Sequence, residues 1–167
     1  EPAIKPAVTL TRSGVVGVLA TRQTVQSAAV ARLVELYGAD KRILLQACPG
    51  LAEQVERADL HSAETEALLH QFIEPLLAQG ADTLVLGCTH YPFLRDTIQR
   101  LVGAEVTLLD PAEAVARELA RRLADSGSLT TQTKQGAVQF FTSGDVAQAQ
   151  AVISHLWNAP LTVQPLP

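Results

Sequence analysis

Short apolar runs alternate along the chain with longer segments in which apolar residues recur at helical spacing. The runs at residues 14–20, 43–47 and 83–87 lack polar alternation, which predicts strands buried on both faces, as in a parallel sheet. Further strands are expected at 106–109 and 137–141. Helices are expected over 25–37, 51–57, 62–80, 93–101, 112–123 and 146–156. This alternation predicts an α/β fold whose mostly parallel sheet has helices on both faces.

Two features interrupt this pattern. Pro75 lies inside the helical pattern of residues 62–80 and predicts a kink or an early break of that helix. Residues 126–135 are polar, with repeated Thr, Ser and Gln, and form the best linker candidate in the chain.

Composition narrows the class of protein. Of the 167 residues, 47% are hydrophobic and 18% are charged, which is typical of a globular chain. The net charge of −4 argues against a nucleic-acid binder, and no apolar run is long enough to predict a membrane span. Two cysteines are too few for a disulfide scaffold, and the sequence lacks the paired ligand spacing of a zinc site, so we expect no metal.

The sequence contains no methionine and opens at Glu1. We expect either a processed or disordered start or a piece of a longer protein. No charged-then-apolar leader precedes the first element, so no signal peptide is predicted.

Reactive and polar residues follow three of the predicted strands, where open α/β sheets bind ligands. Cys88 is equally compatible with a reactive thiol near a helix start and with a buried structural cysteine, and a structural role is favoured for Cys48. His90 can donate protons or simply bond to the loop backbone. Thr21 and Thr24 can hold a carboxylate or phosphate, although helix capping alone explains hydroxyls at this turn.

Several strings together resemble the glutamate racemase family of bacteria. The most specific is Leu-Val-Leu-Gly-Cys-Thr-His-Tyr-Pro-Phe-Leu at residues 84–94. Residues 4–7 followed by 17–25, and Ala-Cys-Pro at 47–49 with Glu56, also match. Weaker matches lie at 109–117 and 141–145, so that the resemblance runs in order over nearly the whole chain.

The resemblance implies a mechanism without a cofactor, in which two cysteines exchange the α-proton of glutamate on opposite faces. Cys88 would be one of these cysteines, assisted by His90, with Glu56 orienting or charge-balancing that histidine. Thr21, Thr24 and Thr89 would hold the substrate. Such an enzyme would supply D-glutamate for peptidoglycan in the bacterial cytoplasm.

The sequence departs from the family pattern in two ways. Gln23 stands where the family usually has a glycine, and the strings around the family's other catalytic cysteine are absent. We therefore expect the C-terminal portion of a racemase, inactive alone, whose partner is the missing N-terminal domain. Residues 1–110 would form the second α/β domain, and residues 111–167 a strand-helix tail that packs on the missing first domain. A homo-oligomer is possible.

Three other functions remain compatible with the residues. The chain could belong to a related aspartate or hydantoin racemase, or to a malonate decarboxylase type, which can work with a single cysteine. It could also be a non-enzymatic domain that binds a small carboxylate.

Overall fold

A computed structural model describes residues 3–38, 40–134 and 136–167. Its centre is a four-stranded parallel sheet in the order β2-β1-β3-β4. The strands are β1 (Val15–Ala20), β2 (Arg42–Ala47), β3 (Thr83–Leu86) and β4 (Thr107–Leu109). The α/β fold with a parallel sheet is therefore confirmed. Because β1 is paired on both edges and covered on both faces, every one of its residues is buried, as its unbroken apolar run predicts.

Helices cover both faces of this sheet. On one face, α4 (Leu51–Glu56), α5 (Ala63–Ala78) and α6 (Arg95–Val102) pack against β1 and β3, with a single 3-10 turn, Tyr91–Leu94, leading into α6. On the other face lie α1 (Ile4–Leu10), α2 (Arg22–Val25) and α3 (Ala28–Tyr37). The alternation of side chains along a strand divides the core in two, since Leu84 faces α5 while its neighbour Val85 faces α1.

The early break predicted at Pro75 is wrong, because α5 continues to Ala78. Pro75 lies on the exposed side of the helix, where the carbonyl that loses its partner can bond to water. On the opposite side, Phe72, Ile73 and Leu76 are buried in the core. Burial of these side chains outweighs the proline penalty of about 3 kcal/mol.

The single helix predicted over residues 25–37 is two helices. They separate at Gln26 and Ser27, and the Ser27 hydroxyl accepts a hydrogen bond from the Val30 amide at the start of α3. Ser27 therefore caps the start of a new helix, although it lies within a continuous helical spacing of apolar residues. Helix α1 was not predicted, and neither was the short final strand described next.

The C-terminal residues form a smaller unit. Helix α7 (Ala112–Asp125) has no buried residue. It is followed by β5 (Phe140–Thr142), α8 (Val146–Leu156) and β6 (Val163–Pro165), in which β5 and β6 pair in parallel. Residues 128–134 have no helix or strand, in agreement with the linker predicted over 126–135. The strand predicted over 137–141 begins later, at Phe140, and residues 136–139 have no helix or strand.

Membrane-spanning segments were sought among the helices of the described residues. None of these helices combines the length and the apolar character that crossing a bilayer requires.

Candidate functional site

Five of the six predicted site residues, Thr21, Thr24, Cys88, Thr89 and His90, follow the carboxyl ends of β1 and β3, and the sixth, Glu56, ends α4 after β2. Strands β1 and β3 are neighbours, but the chain leaves β1 towards β2 on one side and returns to β3 on the other. Such a reversal of strand order opens a crevice between the two strand ends, where open α/β sheets bind ligands. Thr21 directly follows β1, and Gly87 and Cys88 directly follow β3.

Gly87 brings the Cys88 loop close to the end of β1. Its amide donates to the Leu19 carbonyl over 2.8 Å. A β-carbon at position 87 would lie 2.8 Å from that same carbonyl oxygen, which is closer than real side chains approach. Only glycine fits this contact without movement of the backbone.

Cys88, His90 and Glu56 form a continuous hydrogen-bonded relay. The Cys88 Sγ atom lies 3.7 Å from His90 Nδ1, and His90 Nε2 lies 2.6 Å from Glu56 Oε1. The His90 side chain is 31% exposed and that of Glu56 is 67% exposed. Glu56 is the last residue of α4, so the relay joins the segment after β2 to the loop after β3.

The relay fixes the roles of the two imidazole nitrogens. The Glu56 carboxylate only accepts hydrogen bonds, so His90 Nε2 carries the proton that it donates. In the neutral ring, Nδ1 then has a free lone pair facing the Cys88 thiol. The thiol proton can pass to Nδ1, and the carboxylate then stabilises the imidazolium beside the thiolate.

Cys88, Thr24 and Thr89 line one cavity of about 620 Å³. Most of the remaining wall is apolar, with Val18 and Val85 from the strands among its members. This arrangement combines a few convergent polar groups with a hydrophobic lining, as small-molecule sites do.

Thr21 supports this cavity from its edge. Its hydroxyl oxygen accepts a hydrogen bond from the Thr24 amide and lies 2.9 Å from the Thr24 hydroxyl. The helix that follows Thr21 is only the four residues of α2. The capping alternative is therefore present in the structure, and Thr21 orders Thr24. Gln23 is exposed on the same turn.

Cys48 differs from Cys88 in its surroundings. Cys48 is 2% exposed and its Sγ donates to the Gln46 carbonyl. Burial raises the pKa of the Cys48 thiol to about 12, so this cysteine is a neutral thiol at physiological pH. Cys88 is half-buried and borders the cavity.

Sequence reasoning missed Tyr91. Its side chain is fully buried, and its hydroxyl donates to the Cys48 carbonyl over 3.2 Å. A buried phenol needs a hydrogen-bond partner, and a tyrosine next to His90 in a strand-end loop was the available signal.

Metal ligation was sought among the described residues. Those residues contain no group of three or more His, Cys, Asp or Glu side chains that could hold a metal ion.

A sequence model described as Asp/Glu/hydantoin racemase matches residues 1–119. The chain belongs to this family. The match includes β1, β3 and every residue of the relay.

The relatives and solved structures described next are all glutamate racemases within this broader family. The glutamate racemase of Stutzerimonas stutzeri is 47% identical over 167 residues, which are 100% of this chain and 62% of that relative. The glutamate racemase of Ectopseudomonas mendocina is 50% identical over 153 residues, 92% of this chain and 58% of the relative. This racemase-family chain thus spans about 60% of the length of the curated relatives that it matches.

Two solved structures share the fold closely. A glutamate racemase from Bacillus anthracis superposes with a TM-score of 0.84 at 32% identity, covering 99% of this chain and 62% of its own. The Escherichia coli glutamate racemase, solved with L-glutamate and the activator UDP-MurNAc-Ala, gives a TM-score of 0.80 at 27% identity. That match covers 98% of this chain and 62% of the other.

Proposed function

We propose that this chain is part of a glutamate racemase and carries one of its two proton-transferring thiols. The observation that carries the proposal is the Cys88–His90–Glu56 relay, whose Cys88 lines a half-open, largely apolar cavity. The curated relatives described above are glutamate racemases, and the Escherichia coli neighbour binds L-glutamate, which supports glutamate as the substrate.

In the proposed reaction, the Cys88 thiolate takes the α-proton from one enantiomer of glutamate. The Cα–H bond breaks, the S–H bond forms, and the electron pair remains on the α-carbon. A thiol from the part of the enzyme outside this chain then donates a proton to the opposite face, which inverts the centre. In the reverse direction Cys88 is the proton donor, and no cofactor takes part.

His90 and Glu56 assist this step without contacting the substrate carbon. His90 Nδ1 receives the thiol proton of Cys88 and so prepares the thiolate. Glu56 holds the imidazole in the orientation and tautomer that this transfer needs. The Thr24 and Thr89 hydroxyls, with Thr21 behind Thr24, hold the substrate carboxylates.

The same proposal divides the chain between two domains. Residues 1–110 form the second α/β domain, and residues 111–167 pack on a first domain formed largely by the remaining length of the relatives. Two observations support this division. Val115 and Leu119 on α7 are exposed apolar residues that border the cavity. The β5–β6 pair is a parallel sheet of only two strands, whereas parallel sheets are ordinarily larger and covered on both faces.

It follows that this chain alone does not racemise glutamate, because the second thiol and part of the carboxylate contacts are outside it. In the complete enzyme the product D-glutamate would serve peptidoglycan synthesis in the bacterial cytoplasm, and the enzyme can assemble as a homo-oligomer.

The test is hydrogen exchange at the substrate α-carbon in D₂O, followed by proton NMR. The chain is measured alone and after fusion to the portion of the Stutzerimonas stutzeri relative that it does not match. We expect exchange into both enantiomers of glutamate for the fusion, and none for the chain alone. Preferred turnover of aspartate, a hydantoin or an aryl malonate by the fusion, or clear turnover of glutamate by the chain alone, would contradict the proposal.

A further inference from the structure

We propose that the Tyr91 hydroxyl is a positioning group that holds His90 and Glu56 in register through its hydrogen bond to the Cys48 carbonyl. The proposal rests on the proposed function only in assigning the relay a catalytic purpose. The positioning itself can be measured without turnover.

Tyr91 connects two loops that the sheet does not connect. The loops follow β2 and β3, which are separated in the sheet by β1. The Tyr91 ring, fully buried, reaches the Cys48 carbonyl over 3.2 Å. The Cys48 amide in turn donates to the Ala20 carbonyl at the end of β1 over 2.9 Å. Tyr91 is thereby tied to the last residue of the central strand.

The hydrogen bond from Tyr91 to Cys48 joins the same two chain segments as the relay contact between His90 and Glu56. His90 immediately precedes Tyr91, and Glu56 ends the helix that begins three residues after Cys48. In the part of the chain that the structure describes, only two side-chain hydrogen bonds join segment 48–56 to segment 88–94. One is the relay contact between Glu56 and His90, and the other is the bond from Tyr91. The second is therefore the brace that fixes the first.

The chemistry of Tyr91 suits a permanent brace. Burial, followed by the nearby Cys48, Cys88 and Glu53, raises the pKa of the phenol far above its usual range. The hydroxyl consequently remains a donor throughout the pH range in which a thiol and an imidazole exchange protons. The Glu56–His90 contact is partly exposed, so water competes for it as soon as the two segments move apart.

The test compares Tyr91→Phe with the unmodified chain by two readouts that need no racemase activity. The first is the ¹⁵N–¹H NMR signal of His90 Nε2–H, assigned by its absence in His90→Asn. The second is the rate of Cys88 alkylation by iodoacetamide at pH 7. We expect the Nε2–H signal to broaden or disappear through exchange with water. We expect the alkylation rate to fall about two- to tenfold, the factor that corresponds to one net hydrogen bond.

Thr83→Val is the matched control. It removes a buried hydroxyl at the opposite end of β3, where Thr83 donates to Asp82. We expect a loss of stability similar to that of Tyr91→Phe, with both readouts unchanged. If Tyr91→Phe lowers stability and leaves the His90 signal and the Cys88 rate as they were, Tyr91 only fills the core and the proposal is overturned.

A measurement on the unmodified chain covers the case in which Tyr91→Phe fails to fold. The brace requires that the Tyr91 hydroxyl proton and the His90 Nε2 proton exchange with solvent through the same local opening. We expect both protons to lose protection together as urea is raised below the unfolding transition. Loss of Tyr91 protection with the His90 proton still protected would overturn the proposal.

Discussion

At the scale of single residues, the two cysteines differ in what surrounds them. Cys48 is buried with its thiol on a backbone carbonyl, whereas Cys88 borders the cavity and faces an imidazole nitrogen. The thiolate is the reactive form of cysteine, and burial disfavours it. We therefore predict that iodoacetamide alkylates Cys88 faster than Cys48 in the native chain, as read by mass spectrometry of its peptides. Equal or reversed rates would contradict an activated Cys88, and alkylation in denaturant, where both should react alike, is the control.

Asp82 lies at the amino ends of the strands, opposite the candidate site. It directly precedes β3 and accepts hydrogen bonds from residues that precede β1. Burial alone would raise the pKa of its carboxyl. Hydrogen bonds from the Thr11 hydroxyl, the Ser13 and Arg12 amides and the Thr83 hydroxyl outweigh that effect and lower the pKa from 3.8 to about 2. Because the folded chain holds the ionised form, this stabilisation is present above about pH 4 and is lost as the pH falls towards 2.

We predict that Asp82→Asn lowers the free energy of unfolding at pH 7 by about 1–2 kcal/mol, after allowance for solvent screening. The variant should also show a smaller loss of stability between pH 4 and pH 2 than the unmodified chain. Urea denaturation at several pH values measures both effects. Asp40→Asn, at an exposed position, is the control. A variant curve parallel to that of the unmodified chain over this pH range would show that Asp82 has no such linkage.

At the scale of elements, the position of Cys88 depends on how closely the β3 loop approaches β1. We predict that Gly87→Ala forces the loop away from the Leu19 carbonyl and lowers the free energy of unfolding by about 1–3 kcal/mol. The displaced thiol should also lose its contact with His90, so that Cys88 alkylation slows. Gly136→Ala is the matched control, because a β-carbon there meets nothing within 4 Å. Unchanged stability and alkylation in Gly87→Ala would show that the close approach does not position the thiol.

Comparison of the predicted with the observed elements shows which of them can be predicted from sequence patterns. The buried runs that became β1, β2 and β3 were predicted within one or two residues, because strands covered on both faces leave an unbroken apolar signature. The helix over 25–37 was predicted without its break, since a serine cap can resemble an ordinary polar position within the period. The early break offered as one of two outcomes at Pro75 was wrong, because which side of a helix faces solvent depends on tertiary packing.

In the candidate site, too, the residues within short sequence motifs were predicted, whereas a contact between residues far apart in the chain was not. Cys88, His90 and Glu56 were named from their strings, and the structure brings them together. The structure also shows that Thr24 and Thr89, named from the sequence as substrate contacts, line the same cavity as Cys88. The bond from Tyr91 to Cys48 spans 43 residues and depends on the order of the strands, which no local pattern encodes. The chemically reactive residues can be predicted from local sequence. A hydrogen bond between loops that follow non-neighbouring strands can be found only once the strand order is known.

At the scale of the whole molecule, the chain has a parallel sheet whose two central strands are buried and a more exposed C-terminal unit. Helix α7 has no buried residue, and Trp157 is 59% exposed although it packs edge-on against Phe140. Exposed apolar side chains mark a surface that other protein covers only where they form a continuous patch, as Val115 and Leu119 do at the border of the cavity. Since the chain spans about 60% of its curated relatives, the proposed first domain is the natural occupant of that surface.

The central claim is that Cys88 transfers the α-proton of glutamate in the assembled enzyme. The most direct measurement is deuterium exchange at the glutamate α-carbon by the fusion described above, compared with the same fusion carrying Cys88→Ser. Cys48→Ser serves as the control because its thiol is buried and bonded to backbone. We predict that the Cys88→Ser fusion loses racemisation, while the Cys48→Ser fusion retains measurable exchange. Undiminished racemisation by the Cys88→Ser fusion would contradict the account.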